Sequence, residues 1–382
     1  MFLESDCLSK RKHCSHGTSS LLFCVEVELG TGQYRGGCTM RNAILLAIIL
    51  LLRVAASHAE IAPEETSVET LGQPTNDWFI NLAGVGGYLF DSADGNMLGL
   101  LSLTAYTPAV AVSRSRGEVY AAESYLSRLH RGEREDVLTV YDITTLSPVA
   151  EIDIPDKTLE VTGDSNIQLM GNGRHLAVFN LTPAQSVSVI DVESRHFAGE
   201  ISTPGCGMIM PVNNASFLMV CGDGSLQLIQ LADDGTESNR VRSKSFFSVD
   251  EDAVFDRAAR TRDGWLLVSH AGLAYDVSVD NAKISVSEPW SLVNDAEREE
   301  SWRPGGFGLL SVHRNSNLAF ILMHQGEVDT HHEPGSELWI FDTGKQKRVM
   351  RWVLDKPWSN ILVLQGERPR LIADANDGEL HI

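Results

Sequence analysis

From residue 75 onward, short apolar and β-branched runs alternate with polar turns, and helical periodicity is almost absent. Runs of this kind predict β-strands joined by tight turns. One mark recurs: an apolar or aromatic run ends at or just before an aspartate that opens a polar turn, so the chain is predicted to repeat one β unit. The aspartates are Asp91, Asp142, Asp191, Asp233, Asp276 and Asp342.

The spacing of these aspartates defines the repeat. Successive members lie 51, 49, 42, 43 and 66 residues apart, and a period of about 40–50 residues with four short strands is typical of a β-propeller blade. In one unit we predict strands at residues 109–112, 119–122, 137–141 and 148–154, with Asp142 closing the last turn through bonds to its own backbone. An open β-sandwich is the alternative, but sandwiches rarely keep so regular a period.

The last repeats set the number of blades. The longest interval contains residues 291–301, which are rich in acidic and helix-forming residues and predict one helical insertion. At a period of about 41 the next aspartate would fall near residue 383, whereas Ile382 still lies in a predicted third strand. Counting this unit, the predicted fold is all-β: a seven-bladed β-propeller over residues 76–382, with the last blade incomplete at the C-terminus.

The N-terminal part has the features of an export signal. Arg41 precedes an apolar run over residues 43–52, and the small residues Ser57 and Ala59 precede a cleavage point. Ten apolar residues are too few for a bilayer span, which needs about 20. Residues 40–59 are therefore predicted to be a signal peptide, leaving no membrane anchor after cleavage. Residues 1–39 are interpreted as a non-native upstream extension, with a genuine ordered extension as the alternative, and residues 60–75 as an N-terminal arm.

Charge and motifs narrow the function classes. Residues 60–382 carry 25 basic and 47 acidic residues, a net charge of −22, and such a surface repels nucleic acid. Signatures of zinc hydrolases, serine hydrolases and nucleotide-binding loops are absent, so nucleophilic and zinc-hydrolase mechanisms lose their usual sequence support, and no metal site is assigned to this chain. One loop dense in potential ligands is interpreted as a solvated connection between strands. Its residues are His324, Glu327, Asp329, His331, His332 and Glu333.

Two cysteines follow the predicted signal peptide, Cys206 and Cys221. An even pair in an exported chain predicts a disulfide. A hairpin centred on Asn213 and Asn214 would place the two cysteines opposite each other. We therefore expect them to be bonded.

Five segments, taken in order and spacing, resemble the large subunit of tryptophan tryptophylquinone amine dehydrogenases. The resemblance covers most of residues 75–382 and is closer to the aromatic amine branch than to the methylamine branch. The family continues for about one further strand of the last blade and a ring-closing strand. The segments are residues 128–137, 221–226, 242–249, 289–295 and 302–306.

The resemblance implies a periplasmic α2β2 assembly that oxidatively deaminates primary amines and passes electrons to a blue copper protein of the azurin or amicyanin type. The quinone and the catalytic base belong to the small subunit, so this chain should hold no cofactor. Residues 98–106 match a region where an aromatic residue of the large subunit lines the substrate pocket, and Tyr106 stands where the family usually has Phe. Simple packing of a buried tyrosine is the alternative for Tyr106.

Two other functions remain compatible with a propeller. One is a calcium-dependent hydrolase of the lactonase type, which would be active alone and lose activity with a chelator. The other is a protein-binding module, which would show neither that activity nor a quinone in a partner.

The signal peptide gives a direct prediction. Cleavage after Ala59 should leave a mature protein that begins at Glu60, because small residues occupy both positions that the peptidase inspects. N-terminal sequencing of exported protein checks this, and material that begins at Met1 would contradict it.

Overall fold

The computed structural model describes residues 70–155, 157, 163–181, 184–375 and 379–382. The predicted signal peptide, the segment before it and most of the N-terminal arm lie outside the described residues. Within the described part, no helix has the length and apolar character needed to cross a membrane.

The described strands form seven antiparallel sheets in chain order, which we number blades 1 to 7. The innermost strands of blades 2 to 7 contact one another in turn around a central channel, which residues 78–83 of blade 1 also line. The predicted seven-bladed β-propeller is thus confirmed.

Blades 1 to 4 contain the first fifteen strands. Blade 1 has three strands: β1 (Trp78–Ala83), β2 (Gly86–Asp91) and β3 (Met97–Ser102). Blade 2 has β4 (Val110–Ser113), β5 (Glu118–Leu126), β6 (Arg134–Asp142) and β7 (Pro148–Asp153). Blade 3 has β8 (Ile167–Leu169), β9 (His175–Asn180), β10 (Ser186–Asp191) and β11 (His196–Ser202). Blade 4 has β12 (Cys206–Asn213), β13 (Ser216–Cys221), β14 (Leu226–Leu231) and β15 (Glu237–Arg242).

Blades 5 and 6 each contain one interrupted strand. Blade 5 has β16 (Val254–Arg260), β17 (Trp265–Ser269), β18 (Leu273–Asp280), β19 (Lys283–Val286) and β20 (Trp290–Ser291), the last two both pairing with β18. Blade 6 has β21 (Trp302–Pro304) and β22 (Leu310–His313), which both pair with β23 (Leu318–Gln325), and then β24 (Gly335–Asp342) and β25 (Lys347–Trp358). Blade 7 has β26 (Asn360–Leu364), β27 (Arg370–Asp374) and β28 (Leu380–His381).

The repeated aspartates close turns in most blades. Asp142 accepts hydrogen bonds from the backbone of Thr144 and Thr145 at 2.8 and 2.9 Å. Asp91, Asp191 and Asp342 act in the same way in blades 1, 3 and 6.

The prediction that the repeated aspartate closes the turn was wrong in two blades. In blade 4 the residue that accepts this bond is Asp234 rather than Asp233. In blade 5 Asp276 lies inside β18, where its carboxylate accepts from the Trp290 indole at 3.1 Å.

The predicted helical insertion is one short helix, α1 (Asp295–Glu299). Asn294 and Glu297 form a reciprocal capping box that satisfies backbone donors at its start. The buried Glu297 carboxylate also pairs with Arg348 at 2.6 Å, which ties the helix to strand β25. The insertion is therefore fixed to blade 6 by charge as well as by packing.

Cys206 and Cys221 form a disulfide and are directly opposite each other in the β12–β13 ladder. The hairpin turn lies one residue later than predicted, because Asn213 pairs with Ser216 after shifts in the register. Arg242 covers the disulfide, with Nη2 at 3.2 and 3.4 Å from the two sulfur atoms.

The apolar cluster at the junction between blades 1 and 7 is the smallest of the core clusters. Its buried members are Phe79, Leu364 and Ile372, and Arg370 reaches across to Asp77 at 3.0 Å. Each of these blades has three strands within the described residues, whereas the other five have at least four. Among the strands that the structure describes, β1 pairs with β2 alone, and residues of β1 line the channel.

This junction should open more readily than the rest of the ring. Fewer ladder bonds and a small apolar cluster lower the cost of local opening. Amide hydrogen exchange at residues 76–90 and 360–382 should therefore be faster than in β13 and β14, the central strands of blade 4. Equal protection in the two regions would contradict this.

Candidate functional site

Strand reversal places the loops on two distinct faces. Since each strand runs antiparallel to the one before it, the connections between the second and third strands share a face with the connections between blades. We call this the upper face, and the face with the remaining turns the lower face. Tyr106, in the connection from blade 1 to blade 2, lies on the upper face.

Tyr106 is half-buried and pairs with a histidine from a neighbouring loop. Its hydroxyl lies 2.8 Å from Nδ1 of His130, which belongs to the β5–β6 connection. The two rings meet edge-on, with centroids 6.2 Å apart and planes at 87°. This contact joins the connection that leads into blade 2 to the β5–β6 connection within blade 2.

A buried glutamate anchors the start of the Tyr106 loop. Glu123 lies fully buried on β5 and accepts the backbone N–H of Thr104 at 2.9 Å. It also accepts the Tyr141 hydroxyl at 3.0 Å. Burial first, and then the charge of Glu123, raise the pKa of Tyr141 well above its usual value. Tyr141 therefore stays protonated and remains a donor to this carboxylate.

A buried lysine anchors the Tyr106 backbone itself. The Lys157 ammonium donates to the carbonyl oxygen of Tyr106 at 2.6 Å, and its backbone N–H donates to Asp136 at 2.7 Å. Asp136 is paired in turn with Arg134 at 2.5 Å. Burial lowers the pKa of Lys157 to about 8, although Asp136 opposes the shift. The Tyr106 loop is thus held by one buried carboxylate and one buried ammonium group.

Reasoning from the sequence missed both anchors. Glu123 sits in a strand whose neighbours Ala122 and Ser124 are also buried, so strand periodicity does not mark it. An acidic residue in an otherwise buried strand was the available signal, because charges are rarely buried without partners.

The Tyr106 loop also borders the central channel. Thr104, Ala105 and Thr107 line this cavity, whose volume is about 750 Å³, whereas Tyr106 does not. The Tyr106 ring is therefore directed to His130 rather than into the channel.

Large apolar side chains are exposed at the tips of upper-face connections in several blades. Val85 is 63% exposed, Leu129 76%, Phe307 52% and Val328 72%. The outer strand β25 exposes a further group, Val349, Met350, Trp352 and Val353. Exposed apolar side chains that lie close together are typical of a surface that another protein covers.

Two histidines of the loop that is dense in potential metal ligands take part in a column of aromatic rings. The rings of His331 and His270 stack with centroids 4.0 Å apart, and His332 follows at 4.1 Å. Phe255 and Phe307 close the two ends of the column. Burial lowers the pKa values of His270 and His331 below their usual range, which favours neutral rings that can stack.

His324 lies apart from this column, and its Nε2 is 2.9 Å from the Thr330 hydroxyl. Glu327, in the same loop, accepts from Thr330 through its backbone carbonyl. Across the described ranges, no three His, Cys, Asp or Glu side chains are grouped closely enough to hold a metal ion.

The fold is a propeller whose upper face holds the Tyr106 loop in place and exposes several apolar side chains. Comparison with known proteins gives the family. The family model described as methylamine dehydrogenase heavy chain matches residues 78–382. This chain belongs to that family, which is a family of amine dehydrogenase subunits, and the resemblance inferred from the sequence is confirmed at this level.

Curated relatives agree with the family model. The methylamine dehydrogenase heavy chain of Methylophilus methylotrophus is 25% identical over 295 residues, covering 76% of this chain and 72% of the relative. The corresponding protein of Methylobacillus flagellatus is 28% identical over 290 residues, covering 75% and 72%.

Solved structures support the fold alone. Hydrazine synthase of Kuenenia stuttgartiensis aligns with a TM-score of 0.55 at 13% identity, covering 83% of this chain and 97% of that one. The β-propeller domain of Myceliophteria thermophila Cps50 (Swd1) aligns with a TM-score of 0.56 at 11% identity, covering 81% and 93%.

Lys157 should make stability depend on pH in a specific direction. Its pKa is about 8 in the folded chain and about 10.4 in an unfolded one. Between these values the unfolded chain binds more protons, so the lysine's contribution to the free energy of unfolding rises with pH. From pH 7 to 9.5 the native protein should gain about 2 kcal/mol relative to the Lys157→Met variant. Denaturant unfolding of both proteins at the two pH values tests this, and a constant difference would contradict it.

Proposed function

We propose that this chain is the large, non-quinone subunit of a periplasmic amine dehydrogenase that oxidatively deaminates primary amines, aromatic amines in particular. Family membership over residues 78–382 carries the proposal. It favours this function over a lactonase-type hydrolase or a general protein-binding propeller.

The partner is a small subunit that carries the tryptophan tryptophylquinone, in an α2β2 assembly. When present, the quinone accepts electrons from the amine, and a blue copper protein of the azurin or amicyanin type then receives them. The residues of this chain bind and orient the substrate and exclude water. The exposed apolar tips around Leu129 and Phe307 support docking of the partner on the upper face.

Tyr106 is proposed to form one wall of the substrate pocket at this interface. Its ring is fixed by the Tyr106–His130 contact and by the buried anchors Glu123 and Lys157. A rigid aromatic edge suits the ring of an arylalkylamine, which prefers edge-to-face contact. The hydroxyl is already committed to His130, so the ring rather than the hydroxyl faces the substrate.

The assembly test uses co-expression of this chain with a quinone-bearing small subunit of the same family. The two should co-purify, show a quinone absorbance and reduce a dye acceptor only when a primary amine is added. This chain purified alone should be inactive. Hydrolysis of lactones by the chain alone, with loss of that activity in a chelator, would contradict the proposal.

Replacing Tyr106 should alter substrate choice within the assembled enzyme. Tyr106→Ala removes a pocket wall without touching the quinone or the base, so kcat/KM for aromatic amines relative to small amines should change by about tenfold. Tyr106→Phe keeps the ring and loses the bond to His130, and it should retain most of the native preference. Unchanged relative kcat/KM in Tyr106→Ala would return Tyr106 to a packing role.

A further inference from the structure

Arginines gather around the lower mouth of the channel. The turns that follow the innermost strands surround this mouth, and within a chain of net charge −20 they carry an unusual number of guanidinium groups. These arginines are Arg114, Arg116, Arg174, Arg260, Arg262 and Arg314.

Most of them are used to hold neighbouring turns together. Arg116 donates to the carbonyl oxygen of Gly173 at 3.0 Å. Arg174 pairs with Asp191 at 2.6 Å. Arg114 bonds to the side chain of Asn76. Each of these three guanidinium groups therefore has a described partner, and for Arg116 and Arg174 a carboxylate is among the partners.

Arg260 and Arg314 differ from the others. Arg260 ends β16, and its side chain makes no hydrogen bond or ion pair with any described residue. Arg314 follows β22, and its Nε donates to the Gln365 side chain at 3.1 Å. This bond orients the Arg314 guanidinium and leaves its two terminal nitrogens without a described acceptor.

The two arginines are neighbours. Strands β16 and β22 contact each other, and Arg262 joins their turns by donating to the carbonyl oxygen of Asn315 at 2.6 Å. Partial burial lowers the pKa of Arg260, and the charge of Arg314 lowers it further. Arg260 nevertheless remains accessible to solvent.

This arrangement leaves a repulsion that the described residues do not relieve. Both guanidinium groups stay charged at neutral pH. The acidic residues of the same turns, Asp263 and Glu367, form no ion pair with either arginine. An oxyanion between them would remove the repulsion and accept several charge-assisted hydrogen bonds.

We propose that Arg260 and Arg314 form a binding site for a doubly charged oxyanion of the phosphate type at the lower mouth of the channel. The site is on the face opposite Tyr106, so it does not depend on the function proposed above. The net negative charge of the chain does not prevent binding, because salt screens it beyond about 8 Å at physiological ionic strength.

Calorimetric titration with inorganic phosphate at constant ionic strength tests the site. Phosphate should bind saturably to the native chain, and Arg260→Gln and Arg314→Gln should each weaken binding by at least about tenfold. Arg128→Gln is the matched control, because Arg128 is exposed on the upper face and its side chain has no described partner. Titration with malonate, a dicarboxylate, then shows whether the site recognises charge alone or a tetrahedral group.

Thermal unfolding gives a second measurement that is independent of affinity. In phosphate-free buffer Arg260→Gln should unfold at the same temperature as the native chain or higher, since it relieves the repulsion. Added phosphate should raise the melting temperature of the native chain alone. Absence of phosphate binding to the native chain, or equal weakening in Arg128→Gln and Arg260→Gln, would overturn the proposal.

Discussion

The alternation of strand direction within each blade is the constraint from which the rest of this structure follows. Every strand must reverse, so the connections of all seven blades are divided between two faces with separate roles. The upper face receives the longer connections, including the Tyr106 loop and the histidine column. The lower face receives the tight aspartate-closed turns and the turns around the channel mouth.

The propeller ring holds the Tyr106 loop in a fixed position through buried charged side chains. A connection between blades has few packing contacts of its own, yet hydrogen bonds to the buried Glu123 and Lys157 hold the Tyr106 loop against the propeller. Burying these charges costs stability, and the cost is tolerated where position matters. Positioning an aromatic side chain for a partner subunit is consistent with membership of a family of amine dehydrogenase heavy chains.

The sequence predicted the features that depend on local pattern. The blade period, the four strands of blade 2 and the turn at Asp142 followed from alternation and turn chemistry. The prediction failed at Asp276, because a strand that continues past its aspartate looks the same in sequence as one that ends there. The contacts that Glu123 and Lys157 make with the Tyr106 loop were not predictable, since their partners lie 19 and 51 positions away in the sequence. Stacking of His270 with His331 likewise joins connections of the neighbouring blades 5 and 6 that lie far apart in sequence.

We propose that the quinone-bearing subunit docks on the upper face, which carries the Tyr106 loop. Hydroxyl-radical footprinting of this chain alone and in the co-purified assembly tests it most directly. Leu129, Phe307 and Val328 should become protected in the assembly, while the lower-face turns around Arg116 and Asp342 keep their reactivity. Protection confined to the lower face, or unchanged reactivity at Leu129 and Phe307, would contradict the account.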